Sequence, residues 1–151
     1  MKFLLTRELG KLARWLRILG FDAEYLREIR ASSFIIKALQ EDRIIISRNR
    51  KLPKARGVKI VFIDSEILNE QIKEVQQRLN IKYDSKQMFT RCIVCNEQLK
   101  AIEKELVRDK VPPLVFDEQT EFVICPKCQR VYWQGTHWGK VKETLEGIDI
   151  K

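Results

Sequence analysis

A chain of 151 residues that is 44% hydrophobic and 33% charged has the balance of a soluble globular protein, too apolar for disorder and without an apolar run that could span a membrane. The formal charge of +8 is unevenly spread: residues 1–60 hold 15 Lys+Arg against 6 Asp+Glu, whereas residues 61–151 hold 14 against 15. A basic surplus confined to one portion points to a polyanionic partner, RNA or DNA first, rather than to solubility alone. The start, Met1 to Arg7, has too few apolar residues for a secretory signal, which predicts a cytoplasmic protein with reduced thiols.

Phe3-Leu4-Leu5 reads as a short buried strand. A helix is expected from about Glu8 to Leu19, stopped by Gly20, with Leu9, Leu12, Ala13, Leu16 and Leu19 on its apolar face. Arg7, Lys11, Arg14 and Arg17 cluster opposite, either as a solvated face or as a phosphate-facing one. Ala23–Leu26 suggests a second strand, and Ser32 or Ser33 a cap for a helix through Phe34, Ile35, Ala38 and Leu39 to about Glu41. Ile44-Ile45-Ile46 is the clearest buried strand, followed by Ser47-Arg48-Asn49-Arg50-Lys51; residues 59–63 form another, ending at Asp64. A further helix is expected from Glu66 to Leu79, closed by Asn80. Short apolar strands alternating with amphipathic helices imply an α/β fold with a parallel sheet and crossover helices. The expected organisation is an α/β domain over 1–80, a linker over 81–89, a small module over 90–140 and a tail over 141–151.

That module carries Cys92-Ile93-Val94-Cys95 and Cys125-Pro126-Lys127-Cys128, two C-x-x-C pairs 29 residues apart. One pair alone would be compatible with redox chemistry, and four cysteines allow disulfides, but two such pairs supply four thiolates for a tetrahedral structural zinc site. Strand-like segments at residues 98–102, 121–124 and 131–133 suit a zinc ribbon, a module too small for a large core and therefore dependent on its metal. All four positions are protein ligands, so the site is closed and non-catalytic. On this reading Cys→Ser substitution unfolds the C-terminal module and leaves the α/β domain largely intact. Tyr132, Trp133 and Trp138 are candidates for base stacking or for ribbon packing. His137, the one histidine, is a candidate phosphate contact or a packing residue.

Several blocks occur together: Leu9-Gly10-Lys11-Leu12-Ala13-Arg14-Trp15-Leu16-Arg17, Leu19-Gly20-Phe21-Asp22, Arg43-Ile44-Ile45-Ile46-Ser47-Arg48, both knuckles, and Val131-Tyr132-Trp133-Gln134-Gly135-Thr136-His137-Trp138. In this order they resemble the Mut-seven C-terminal ribonuclease domain, a PIN-like nuclease fold fused to a zinc ribbon. The resemblance runs from about Lys2 to Lys140. It implies a metal-dependent RNA nuclease with acidic residues at strand ends, holding Mg²⁺ or Mn²⁺ to activate water and offset charge on the scissile phosphate.

The resemblance also implies aspartates where this chain has Thr6, Ser32 and Asn49. Asp64 and Glu8 are the acids left as catalytic candidates, too few for a two-metal cluster. Losing these charges leaves Arg7, Arg48 and Arg50 to favour a phosphate backbone over a divalent cation. The expected function is therefore RNA binding with weak or lost metal-dependent cleavage, through Arg7, Lys11, Arg14, Arg17, Arg48, Arg50 and His137. The alternatives are an active ribonuclease using Asp64 and Glu8 with Mg²⁺ or Mn²⁺, and a protein-interaction adaptor acting through the ribbon. No membrane association is expected.

Overall fold

Alternation along four short strands decides the architecture. In the computed structural model, which describes residues 1–27, 30–134 and 138–151, the strands Lys2–Leu5 (β1), Asp22–Tyr25 (β2), Ile44–Ser47 (β3) and Ile60–Phe62 (β4) form one parallel sheet in the order β2-β1-β3-β4. Phe3, Leu5 and Ile46 enter the larger core, and Leu4 and Ile45 the smaller one, as the two-residue period of a strand requires. Both faces are covered, which is why Phe3-Leu4-Leu5 and Ile44-Ile45-Ile46 are continuously apolar.

The helices Gly10–Ile18 (α1) and Leu68–Leu79 (α3) pack on the first face; Ala31–Glu41 (α2) packs on the second through Phe34 and Ala38. The expected first helix begins as a 3₁₀ turn, Arg7–Leu9, before α1 proper. Its predicted apolar residues Leu9, Leu12, Ala13, Leu16 and Leu19 are all buried. Gly20 has φ +95°, and a Cβ there would meet the Gln87 carbonyl oxygen at 2.4 Å, so the turn after α1 admits no side chain. Neither serine caps α2: Arg30 holds the N-cap position, no side chain makes a capping bond there, and Ser32 and Ser33 lie within the first turn. The helix starts earlier because packing of Phe34 and Ala38, not cap chemistry, fixes its register.

The segments expected as linker and tail contribute to the larger core. Tyr83 and Met88 join it from 81–89, and Val141, Leu145 and Ile148 from the helix Trp138–Thr144 (α5) and the residues after it. Tyr83 donates its hydroxyl to the Ile72 carbonyl at 2.7 Å, and Lys151 N donates to Tyr83 O at 2.9 Å. Among the described residues no helix is long and apolar enough to cross a membrane.

Between the two cysteine pairs lie Lys100–Ile102 (β5), the short helix Pro113–Glu118 (α4) and Phe122–Ile124 (β6); Val131–Tyr132 (β7) follows. The strands form an antiparallel sheet in the order β5-β6-β7 over a satellite core of Val107, Val111 and Phe122. The connection contains a helix as well as the expected hairpin, and Val115 and Phe116 of α4 cover the small core.

The ribbon is bonded to the edge of the parallel sheet. Asn96 accepts from the Ala23 amide through Oδ1 (3.0 Å) and donates through Nδ2 to Asp22 Oδ1 (2.6 Å). Arg17, expected on the exposed basic face of α1, is only 8% exposed. It donates to Ala23 O and to the carbonyls of Ile93 and Val94 in the first knuckle. Position 17 turns inward because the ribbon covers that side of the helix, a surface the helical wheel alone leaves in solvent.

Candidate functional site

Strand order reverses direction between β1 and β3, the switch point where open parallel sheets leave a crevice beyond their carboxyl ends. Thr6 follows β1 and Ser47 ends β3, both buried. Glu8, in the turn after β1, reaches over this pair. Its Oε1 accepts from Thr6 Oγ1 at 2.6 Å, from the Arg48 amide at 2.9 Å and from Ser47 Oγ at 3.2 Å. The two hydroxyls lie 2.9 Å apart, and the Asn49 amide donates to Ser47 Oγ at 3.0 Å. Burial opposes ionisation of Glu8, but the bonds from Thr6, Arg48 and Ser47 outweigh it and hold the carboxyl below its usual range.

Asp64 follows β4 and is engaged by guanidinium groups. Arg50 donates to Oδ1 at 2.6 Å and Arg78 to Oδ2 at 2.7 Å, and Arg48 reaches the Asp64 carbonyl at 3.3 Å. The Arg50 hydrogen bond is the main reason the Asp64 carboxyl sits below its ordinary value. Glu74 holds the turn from beneath, accepting from the amides of Asp64 (2.9 Å) and Ser65 (2.8 Å). The Arg50 guanidinium also lies 5.2 Å from the centre of the Phe62 ring. Arg48 Nε is buried and takes no acceptor among the described residues.

The candidate residues therefore divide. Thr6, Glu8 and Arg48 meet at the switch point, and Asp64 with Arg50 flanks them through Arg48. Asn49 is exposed and spends Oδ1 on the Lys51 amide at 3.1 Å, a local turn bond. Ser32 is exposed at the start of α2. Arg7, Lys11 and Arg14 are solvent-exposed, whereas Arg17 belongs to the ribbon contact. His137 lies outside the described residues, as does the side chain of Trp138. Sequence reasoning missed Ser47 and Arg78 as members of the cluster. Ser47 was available from the strand-end rule that singled out Thr6; Arg78 had no local signal, because α3 brings it to Asp64 only in the folded chain.

Removing Glu8 should expose how much the switch point depends on it. Glu8→Ala leaves the buried Thr6 and Ser47 hydroxyls short of an acceptor and should cost about 1–3 kcal/mol in urea unfolding at neutral pH. Because the folded Glu8 value is depressed, its contribution is present above the unfolded carboxylate range and is lost as pH falls through the folded value. Wild type and Glu8→Gln should therefore converge in stability on acidification; a difference independent of pH would refute this role for the charge.

The four cysteines form the second candidate site. Their sulfurs all lie within 4.8 Å of one another, and Cys92 Sγ is 3.8 Å from Cys128 Sγ. A tetrahedron of sulfurs at the usual zinc–thiolate distance of roughly 2.3 Å has edges of about 3.8 Å, so the donor set fits such an ion. The knuckles repeat one design. Asn96 N and Gln129 N close the turns onto Cys92 O and Cys125 O, both at 2.9 Å, with Asn96 at φ +65° and Gln129 at φ +64°. The Cys95 and Cys128 amides point at the sulfurs of Cys92 (3.3 Å) and Cys125 (3.5 Å). The Arg130 amide draws the Cys128 thiol toward ionisation, while burial pushes Cys95 the other way. A cation is what lets all four sulfurs be thiolates together. Tyr132 places its hydroxyl 3.1 Å from Cys92 Sγ, and the Trp133 ring packs on Phe122 with centroids 6.4 Å apart, so both aromatics serve the ribbon.

No curated protein and no solved structure matches the chain. The family model of the Mut7-C RNAse domain matches residues 1–145, spanning the parallel sheet, the switch point and the four-cysteine cluster. The chain belongs to the Mut7-C RNAse domain family.

Proposed function

We propose that the chain binds RNA along the strand-end cleft, with little or no metal-dependent cleavage, and that the cysteine cluster holds a structural zinc ion. The observation that carries the first part is the commitment of Glu8 and Asp64. Asp64 pairs with Arg50 and Arg78 through its two oxygens, and Glu8 Oε1 serves two hydroxyls and an amide. A divalent metal would have to displace guanidinium groups from Asp64, at the cost of separating charge-assisted bonds. A phosphate, in contrast, suits the exposed guanidinium groups of Arg50 and Arg78 that gather there. Arg7, Lys11 and Arg14 add exposed positive charge on the turn and helix that follow β1. The cysteine reading rests on the fit of four sulfurs to a closed tetrahedral site, which leaves the metal no open position for chemistry.

Gel-shift titration across a range of salt concentrations tests the RNA reading. Arg50→Ala should weaken binding and lower the slope of log affinity against log salt by about one, as expected for one lost phosphate contact. Asp64→Asn should tighten binding several-fold by releasing two guanidinium groups. Negligible affinity at low salt would refute RNA binding. Cleavage in Mn²⁺ or Mg²⁺ that Asp64→Asn abolishes would instead establish an active ribonuclease.

A further inference from the structure

At the amino-terminal end of the parallel sheet, opposite the strand-end cleft, lies a cavity of about 460 Å³. Its lining comes from three separate parts of the chain: Lys2 at the start of β1, Leu19 to Asp22 in the turn between α1 and β2, and Lys82, Asp84, Gln87 and Arg91 ahead of the first knuckle. The size falls within the range of small-ligand sites, roughly 300–1,000 Å³. From Lys2 to Thr6 the chain rises about 13 Å as strand, more than the Debye length of about 8 Å at physiological salt, so the two sites are electrostatically separate.

The cavity pairs an apolar wall with cations. Leu19 is buried in the core, and the Phe21 ring is held between Phe3 (centroids 5.4 Å apart) and Tyr83 (5.9 Å), a fixed aromatic surface. Gly20 lets the Gln87 backbone close against this wall, where a Cβ would collide. Lys2, Lys82 and Arg91 supply positive charge; Lys2 Nζ lies 3.4 Å from the Glu41 carbonyl, at the exposed surface, and Arg91 is anchored by donating to the Asn96 carbonyl at 2.7 Å. Both acids in the lining are already engaged. Asp22 Oδ1 accepts from Arg43 at 2.7 Å and Asn96 at 2.6 Å, and Asp84 accepts from the Lys86 amide at 2.9 Å, capping the 3₁₀ turn after it. Arg43 offsets the charge of Asp22 from outside the cavity, Asp84 keeps its own, and Lys82 is exposed.

We infer that this cavity is a second site, for a phosphorylated ligand of nucleotide size, with the phosphate between Lys2, Lys82 and Arg91 and the base or sugar against the half-buried Phe21 ring. The ligand chemistry is shared by a free nucleoside monophosphate and by the phosphorylated end of an RNA strand. The site does not depend on the cleft reading, since no residue is common to both.

Isothermal titration calorimetry on the metal-loaded full chain separates the possibilities. The probes are adenosine monophosphate, a short RNA with a 5′-phosphate and the same RNA with a 5′-hydroxyl. Lys82→Glu and the double variant Lys2→Glu/Lys82→Glu, both at exposed positions, should weaken mononucleotide or 5′-phosphate-dependent binding at least tenfold. Affinity for the 5′-hydroxyl RNA, which reports the cleft, should stay within about twofold. Binding of the mononucleotide would assign the site to a free nucleotide, and a phosphate-dependent gain seen only with the RNA would assign it to a strand end. No mononucleotide binding together with equal affinities for the two RNAs would overturn the proposal. So would phosphate-dependent binding that both variants leave unchanged.

Discussion

Removing the metal from Cys92, Cys95, Cys125 and Cys128, by chelation or by Cys92→Ser, is expected to destabilise the parallel sheet as well as the ribbon. From sequence, the ribbon looks like an appendage whose loss the α/β domain tolerates. Coupled loss is the expected result because the first knuckle is bonded to the sheet edge. The Ile93 and Val94 carbonyls accept from the buried Arg17, and Asn96, which closes the turn of Cys92 and Cys95, is bonded to Ala23 N and Asp22. Release of the knuckle would leave the Arg17 guanidinium short of two acceptors and expose the edge of β2. A buried charge deprived of its acceptors costs several kcal/mol, and structural zinc supplies roughly 10–16 kcal/mol in small modules, against a total stability of about 5–15 kcal/mol for a typical domain. Helix α5 and the residues after it add a second link, since Val141, Leu145 and Ile148 complete the core of the α/β domain. Native-state hydrogen exchange is the direct measurement. The Ala23 amide should lose protection on chelation together with the ribbon amides, and thermal unfolding should remain a single transition at a lower temperature. Two separate transitions, with Ala23 still protected, would restore the independent-domain picture.

A carboxylate returned to position 6 should convert the switch point into a metal-responsive one. The Thr6 hydroxyl lies 2.6 Å from Glu8 Oε1, so Thr6→Asp sets two carboxylates against each other where one hydroxyl now donates. Without a cation, lost bonding and like-charge repulsion should cost about 1–3 kcal/mol. Mn²⁺ should more than offset this. At a hundred times its dissociation constant a ligand stabilises by about 2.7 kcal/mol, or about 5–10 °C in melting temperature for a chain of this size. Wild type should respond far less, because Arg50 and Arg78 occupy the Asp64 carboxylate. Differential scanning fluorimetry with and without Mn²⁺ checks both halves; equal shifts in the two proteins would mean that the native cleft already holds the ion. Adding Asn49→Asp should contribute less than Thr6→Asp, since Asn49 is exposed and spends its side chain on a local turn.

The sequence by itself determined the parallel α/β class, the four strands and three main helices of the first domain, and the cysteine cluster, because each rests on local periodicity or fixed ligand spacing. Phe3-Leu4-Leu5 and Ile44-Ile45-Ile46 read as buried strands from their short apolar runs, and two C-x-x-C turns could meet in one tetrahedron whatever the chain between them did. It also marked Thr6 as the end of the first strand. Only the tertiary structure decided the environment of each charge. Arg17 is one more cation at helical spacing until the ribbon covers it, and Asp64 is a free acid until α3 delivers Arg78 and the loop after β3 delivers Arg50. Linker and tail residues are unremarkable in sequence, yet Tyr83, Val141 and Leu145 enter the core, because burial depends on what the rest of the fold leaves uncovered. Periodicity is a property of neighbours along the chain; solvation and pairing of charge are properties of neighbours in space, and these govern what the cleft can bind.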